Sequence, residues 1–264
     1  MFKVQWEGRN LSDITPEMVE DFKATRLIKA KRAPATVVKE LRTLKRLFKK
    51  AIRWGRAATN PVDGLEMPKV QNNRVRFLEA AELARLMKAL PDDLRAIATF
   101  CRFTACRRGE ALHLRWKDCD LKRGVITLKD TKTGADQTVM MNATVRGLLD
   151  SLPSPIDRTQ FVFPGYHQAP NAGTWLIQFN RAWKRACKAA GVKDFHFHDL
   201  RHQAATDLRH AGVDLGDVKE FLRHKSMSMT LRYAHIKDER RIATALVLDA
   251  VGHQEKGTQE GTGA

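Results

Sequence analysis

Hydrophobic positions along this 264-residue chain recur at helical rather than alternating spacing over most of its length. Between residues 35 and 54, Val37, Leu41, Leu44, Phe48, Ala51 and Ile52 fall three or four apart, which puts them on one face of a helix. Asn60-Pro61 and Gly64 stop that run, and the polar, aperiodic stretch 67–76 reads as a linker. Helical patterns return over 79–89 and 92–103, and again over 142–150, 174–190, 198–211, 215–222 and 237–251. Two alternating stretches interrupt them, 124–128 and 137–141, joined across Thr131-Lys132-Thr133-Gly134 as a hairpin. The pattern predicts a mainly α protein. A small helical domain over 1–70 is followed by a mixed, mostly helical domain over 71–252 with a small antiparallel β-sheet. Residues 253–264, rich in Gly, Thr and Gln, read as a disordered tail.

Charge changes this picture more than bulk composition does. The net charge is +17, and residues 22–56 hold 13 Lys or Arg against one acid, Glu40, so +12 of it falls in 35 residues. On the helix over 35–54, Lys39, Arg42, Arg46, Lys49 and Arg53 lie opposite the apolar face. A solvated surface is the ordinary explanation of a charge run, but such a face normally carries interleaved acids. A stripe without them favours contact with the phosphates of a DNA duplex, which positions a protein without reading bases. No apolar run approaches the roughly 20 residues that span a bilayer, and the first residues form no signal peptide, so a soluble, cytoplasmic protein with no membrane partner is expected. The cysteines Cys101, Cys106, Cys119 and Cys187 form no spaced ligand set and read as reduced thiols.

Four short segments carry candidate chemistry. Thr104-Ala105-Cys106-Arg107-Arg108-Gly109-Glu110 puts Arg107 near a helix start with Glu110 three residues on, on the same face. Lys132 stands at the hairpin tip. In H-D-L-R-H, His198 and Arg201 project together from one helix. In L-R-H-K-S-M-S-M-T-L-R-Y, His224 precedes Tyr233, one of only two tyrosines, which sits among cations. A tyrosine oxygen can attack a phosphodiester, forming a phosphotyrosine link and expelling a sugar hydroxyl. Arg107 and Arg201 suit the added charge on the non-bridging oxygens, because planar guanidiniums pair with them bidentately. His198 and His224 add donors, and one of them can assist in removing the tyrosine proton. Lys132 can protonate the departing 5′ oxygen. No metal or other cofactor is required, since the cations supply the charge.

In this order the segments resemble the tyrosine recombinases, or phage-type integrases. That family carries an arginine in T-G-x-R-x-G/S-E, a lysine in a β-hairpin turn, H-x-x-R, and L-G-H followed by a tyrosine about nine residues on. Arg107, Lys132, His198, Arg201, His224 and Tyr233 fall on those positions, with Glu110 in support. L-S-D-I-T-P-E-M-V-E-D-F and the basic helix closed by N-P-V resemble the later part of the family's helical core-binding domain. The resemblance, over roughly residues 11–250, implies a core-binding domain and a catalytic domain clamped around DNA. It implies site-specific strand exchange through a 3′-phosphotyrosyl intermediate and a Holliday junction, for integration or excision of a phage or other mobile element. Its implied partners are double-stranded DNA with a specific recombination site, a homotetramer formed on synapsed DNA from free monomers, and an accessory DNA-bending protein. The helix over 237–251 is the candidate contact with a neighbouring protomer. Three departures stand out. Ala105 and Arg223 occupy positions where the family has Gly, and the chain begins late, which implies a protein shortened at its N-terminus.

Other readings attach to the same residues. Arg107 and Glu110 make an ordinary intrahelical ion pair, and Lys129 is close enough to be mistaken for Lys132. His198 and His202 have the spacing of a helical zinc pair, without a third ligand in sequence. Tyr166 is the rival nucleophile, in a Pro-Gly loop with no arginine set. A type IB topoisomerase would use similar residues to rejoin the same strand. A catalytically inactive remnant would keep only the DNA-binding helix.

Overall fold

The computed structural model describes residues 6–70, 76–129, 136–166 and 174–236. Lys132, the helix expected over 237–251 and the tail over 253–264 lie outside the described residues. The chain divides into two compact units, Met1–Asn73 and Arg74–Ala264.

The first unit is built on two helices. Helix α1, Pro16–Ala24, starts at Thr15, whose hydroxyl accepts from the Met18 N–H, and places proline where a helix has no use for the missing donor. A π-turn over Thr25–Lys29 leads to α2, Pro34–Arg53, which also opens on proline. Val37, Leu41, Leu44 and Phe48 of α2 form one core with Val19, Phe22 and Val62. Ile52 departs from the expected stripe and is 39% exposed. It sits in the last turn, just before Gly55 takes the chain away with a φ of 65°. On the opposite face Lys39, Arg42, Arg46, Lys49 and Arg53 are all exposed. Glu40 turns away from them to Arg26, which donates to it from Nε at 2.8 Å and Nη2 at 2.5 Å. Among the described residues no acid pairs with the five stripe cations. Several of them line a shallow groove of about 430 Å³.

The second unit opens with α3, Ala80–Ala89, and α4, Asp92–Thr104, followed by the five-residue α5, Arg108–Leu112. A three-stranded antiparallel sheet comes next, with β1 (Cys119–Asp120), β2 (Val125–Leu128) and β3 (Gln137–Met140) in that order. Val125 faces Met140 and Leu128 faces Gln137, so Ile126, Leu128 and Val139 point inward while Met140 points out. Then come α6 (Ala143–Ser151), α7 (Thr174–Ala189), α8 (Asp199–His210) and α9 (Leu215–Phe221). Tyr233 lies on a closing 3-10 stretch, Leu231–Ile236. No described helix is long and apolar enough to cross a membrane. All four cysteines are buried free thiols, and burial pushes those of Cys106 and Cys187 up to about 11, which keeps them protonated.

Three packing features fix the ground on which the candidate residues stand. Phe197 meets Phe179 and Trp183 of α7 edge-on, at centroid distances of 4.8 and 5.0 Å, and the Trp183 indole donates to the Phe195 carbonyl at 3.1 Å. This holds the residues just before α8. Ala204 and Ala205 of α8 cluster with Ala105, Val218, Leu222 and Tyr233, small side chains that leave room for the phenol ring. Finally, the buried Gln203 accepts from the Leu78 N–H at 2.6 Å and donates to the Leu78 carbonyl at 3.2 Å, so its amide clips the chain ahead of α3 to α8.

Candidate active site

The site begins where α4 ends. Ala105 closes that helix in the left-handed region, with φ 50° and ψ 26°, so the glycine-favouring position noted in the sequence does require positive φ. The chain then enters α5 through Arg107, whose extended backbone makes it the N-cap. Glu110 carries two tasks from one carboxylate. It accepts from the Arg107 N–H at 2.8 Å and from the Arg107 guanidinium at 2.5 Å, tying off the helix start and orienting the cation. The guanidinium keeps a 44% exposed side chain, which leaves N–H groups open to an anion.

Helix α8 brings up the second arginine. His198 is its N-cap residue, and Arg201, one turn on, is buried. The Arg201 guanidinium donates to the carbonyls of Ala105 and Leu222, and so joins the end of α4 to the end of α9. Two of its five N–H groups are thereby engaged and three remain. Burial first, and then the positive charges of Arg223 and Arg107, push Arg201 down to about 10. That direction marks a cluster of cations with too little negative charge.

The residues after α9 complete the group. Arg223 has a φ of 54°, and His224 follows it, its Nδ1 within 2.9 Å of the Thr230 hydroxyl. Tyr233 is 1% exposed, and its hydroxyl is hydrogen-bonded to Nδ1 of His202, neither to His198 nor to His224. Burial, followed by the nearby His198, pushes His202 down to about 4, so its ring is neutral at pH 7. Burial likewise raises the phenol to about 12. His224 is also lowered to about 4, by burial and then by Arg201.

Arg107, His198, Arg201, His224 and Tyr233 therefore gather at one end of the second unit, with Glu110 beneath Arg107. Lys132 lies outside the described residues, and Lys129 is engaged with Asp136 at 2.9 Å. Tyr166 ends a short 3-10 turn, Pro164–Tyr166. The His198 and His202 rings meet edge-on at 5.3 Å, and among the described residues no group of three His, Cys, Asp or Glu gathers to hold a metal ion.

Three features of this end have places in the structure that the sequence reading does not give them. His202 stands out in sequence only through its zinc-pair spacing with His198, not as the partner of the tyrosine hydroxyl. Arg223 stands out only as a departure from the family pattern. A cleft of about 990 Å³ runs from Arg107 and His198 past Arg108, Lys184, Lys188 and Lys193. A signal for the cleft is present, since Lys184 and Lys188, which line it, stand one turn apart on one face of α7.

The sequence model of the phage integrase family matches residues 76–240. The shufflon-specific DNA recombinase of Escherichia coli is 31% identical over 240 residues, covering 87% of this chain and 60% of the relative. The integrase of Salmonella phage P22 is 29% identical over 228 residues, covering 83% of this chain and 58% of the relative. The chain thus spans about 60% of the length of these curated relatives. A lambda integrase dimer, bound to a COC′ core site in its crystal structure, has the same fold, with a TM-score of 0.70 at 22% identity over 90% of this chain and 86% of that one. Its catalytic-segment order, its fold and a family match over more than half its length agree that this chain belongs to the phage integrase family.

Proposed function

We propose that this chain is a site-specific DNA recombinase that cleaves and rejoins strands through a 3′-phosphotyrosyl intermediate, serving integration or excision of a phage or other mobile element. The observation that carries the reading is the meeting of the Tyr233 phenol with a neutral imidazole beside the guanidiniums of Arg107, held by the Glu110 carboxylate, and Arg201, held by the Ala105 and Leu222 carbonyls. The Tyr233 hydroxyl gives its proton to His202 Nδ1 as the oxygen attacks phosphorus. Arg107 and Arg201 take the non-bridging oxygens with their remaining N–H groups, and His224 adds a donor. The 5′ oxygen leaves with a proton from Lys132. A 5′ hydroxyl of the partner strand then attacks the phosphotyrosine, the proton transfers run in reverse, and Tyr233 is released. The phosphodiester bond energy is kept in the ester, so no nucleotide drives the reaction.

Burial holds the phenol proton more tightly than in an ordinary tyrosine, so its transfer to His202 accompanies attack rather than precedes it. Each active site cuts one strand. Exchange between two duplexes breaks four strands, which calls for four protomers on the synapsed DNA. The stripe on α2 and the cleft beside α7 supply phosphate contacts.

The test uses nicked suicide substrates drawn from DNA flanking the gene, incubated in EDTA and resolved on a denaturing gel. A covalent protein–DNA band that is lost in Tyr233→Phe and kept in Tyr166→Phe is expected. Binding without a band on every substrate would make the chain an inactive DNA-binding remnant. Relaxation of supercoiled DNA with no site requirement would make it a topoisomerase.

A further inference from the structure

We infer that Arg223 is a positioning residue for the arginine pair, a third guanidinium that links the supports of Arg107 and Arg201; this rests on the recombinase reading above. Its backbone stands at a φ of 54°, where a side chain is strained and glycine is not. A residue that bulky needs a local return for the strain, and its contacts supply one.

The side chain folds inward and is 8% exposed. Nη1 donates to the carbonyls of Thr104 and Phe221, both at 3.1 Å, and Nη2 donates to the carbonyl of Ala105 at 3.1 Å. Nη2 also lies 3.6 Å from Oε2 of Glu110. Two of these acceptors are shared. The Ala105 carbonyl also takes Arg201, and the Glu110 carboxylate also takes Arg107. Arg223 therefore touches one support of each arginine and joins the two left-handed residues, 105 and 223, to each other.

The charge arrangement gives this bracing a consequence. Arg107 and Arg223 compete for one carboxylate, so Glu110 cannot fully neutralise Arg107. Without Arg223, the carboxylate closes on Arg107 alone and draws it away from an incoming phosphate. Arg201 meanwhile loses the neighbour that shares its carbonyl. The residue acts through its neighbours, since its Nη donors are directed at backbone oxygens and at the Glu110 carboxylate, and its Nε is buried without a partner.

The experiment measures single-turnover cleavage and DNA affinity for the full chain and for Arg223→Gly and Arg223→Lys, with thermal melting of each. Cleavage is run on the suicide substrate and on the same DNA with a neutral methylphosphonate at the scissile position. Arg223→Gly, which removes the backbone strain, is expected to bind DNA as the parent does and to cleave about 10- to 100-fold more slowly. Arg223→Lys, which keeps the charge and can satisfy fewer acceptors, is expected to fall between them. On the methylphosphonate the ratio of parent to Arg223→Gly should shrink towards one, because that substrate places less charge on the clamp. An equal loss on both substrates would mean a merely structural role, and cleavage by Arg223→Gly at the parental rate would also overturn the inference. If Arg223→Gly melts below the assay temperature, Arg223→Lys decides by the same ratio. A parent protein that forms no Tyr233-dependent adduct would overturn the recombinase reading, and this inference with it.

Discussion

At the scale of single residues the site is a set of groups whose protonation is fixed by dehydration. His202 and His224 both titrate near 4 in the folded chain against an ordinary 6.5, mainly through burial. The unfolded chain therefore takes up protons first as pH falls from 6.5, and the stabilisation held above that pH is lost towards 4. The second unit is expected to lose urea resistance between pH 6.5 and 5. His202→Gln should remove roughly half of the share due to this histidine pair, as read from denaturation midpoints at several pH values. A midpoint that rises on acidification over that range would contradict the burial of both rings. A second expectation concerns Glu110. Glu110→Gln leaves a neutral amide that cannot hold either guanidinium by charge, and about 10- to 100-fold slower covalent adduct formation is expected, with DNA binding unchanged. Cleavage at the parental rate would mean that Arg107 orients itself. The residue types were legible in the sequence because a nucleophile and its cations occur in a fixed order. Their contacts were not, since Arg201 reaches Ala105 and Arg223 reaches Thr104 across roughly a hundred residues of chain.

The elements were read more fully than the contacts. The helix and strand patterns that fall within the described residues matched to within a residue or two, because each has one buried face whose period survives in the sequence; the pattern over 237–251 lies outside them, and the short α1 was not read as a helical pattern. The two-residue strand β1 has no period to read, and the π-turn that brings Arg26 to Glu40 follows no rule of spacing. For α2 two expectations follow. Leu44 is 1% exposed, so Leu44→Ala should destabilise the first unit by about 2–5 kcal/mol in a urea melt. Arg42 and Arg46 lie on the face without acids, so replacing both with Gln should make the plot of log affinity against log salt shallower by roughly 0.9 for each phosphate that is no longer neutralised. An unchanged slope would take α2 off the DNA.

At the scale of the whole molecule, each apolar cluster among the described residues draws on one unit. One cluster draws only on residues from Trp6 to Val62, while the other two draw on residues from Leu78 onward. We propose that these units are the two domains read from the sequence, and calorimetry should then resolve two unfolding transitions, with Leu44→Ala lowering one alone. A single transition that shifts as a whole would make them one cooperative body. The high positive charge acts at the same scale. It raises the rate of encounter with any DNA, and it leaves selection of a site to side chains that charge does not describe.

The Gln203 amide gives the helix that carries the site a mechanical role. Gln203 stands two positions beyond Arg201 on α8, and its two hydrogen bonds hold the backbone of Leu78. A force pulling on the chain ahead of Leu78 meets Arg76, which pairs with Glu82 of α3 at 2.9 Å, and then the Gln203 amide of α8, so the two helices share it. One of the two helices that share such tension carries Arg201 and His202 and is capped by His198, so part of a load on the chain ahead of Leu78 is delivered to the reacting groups.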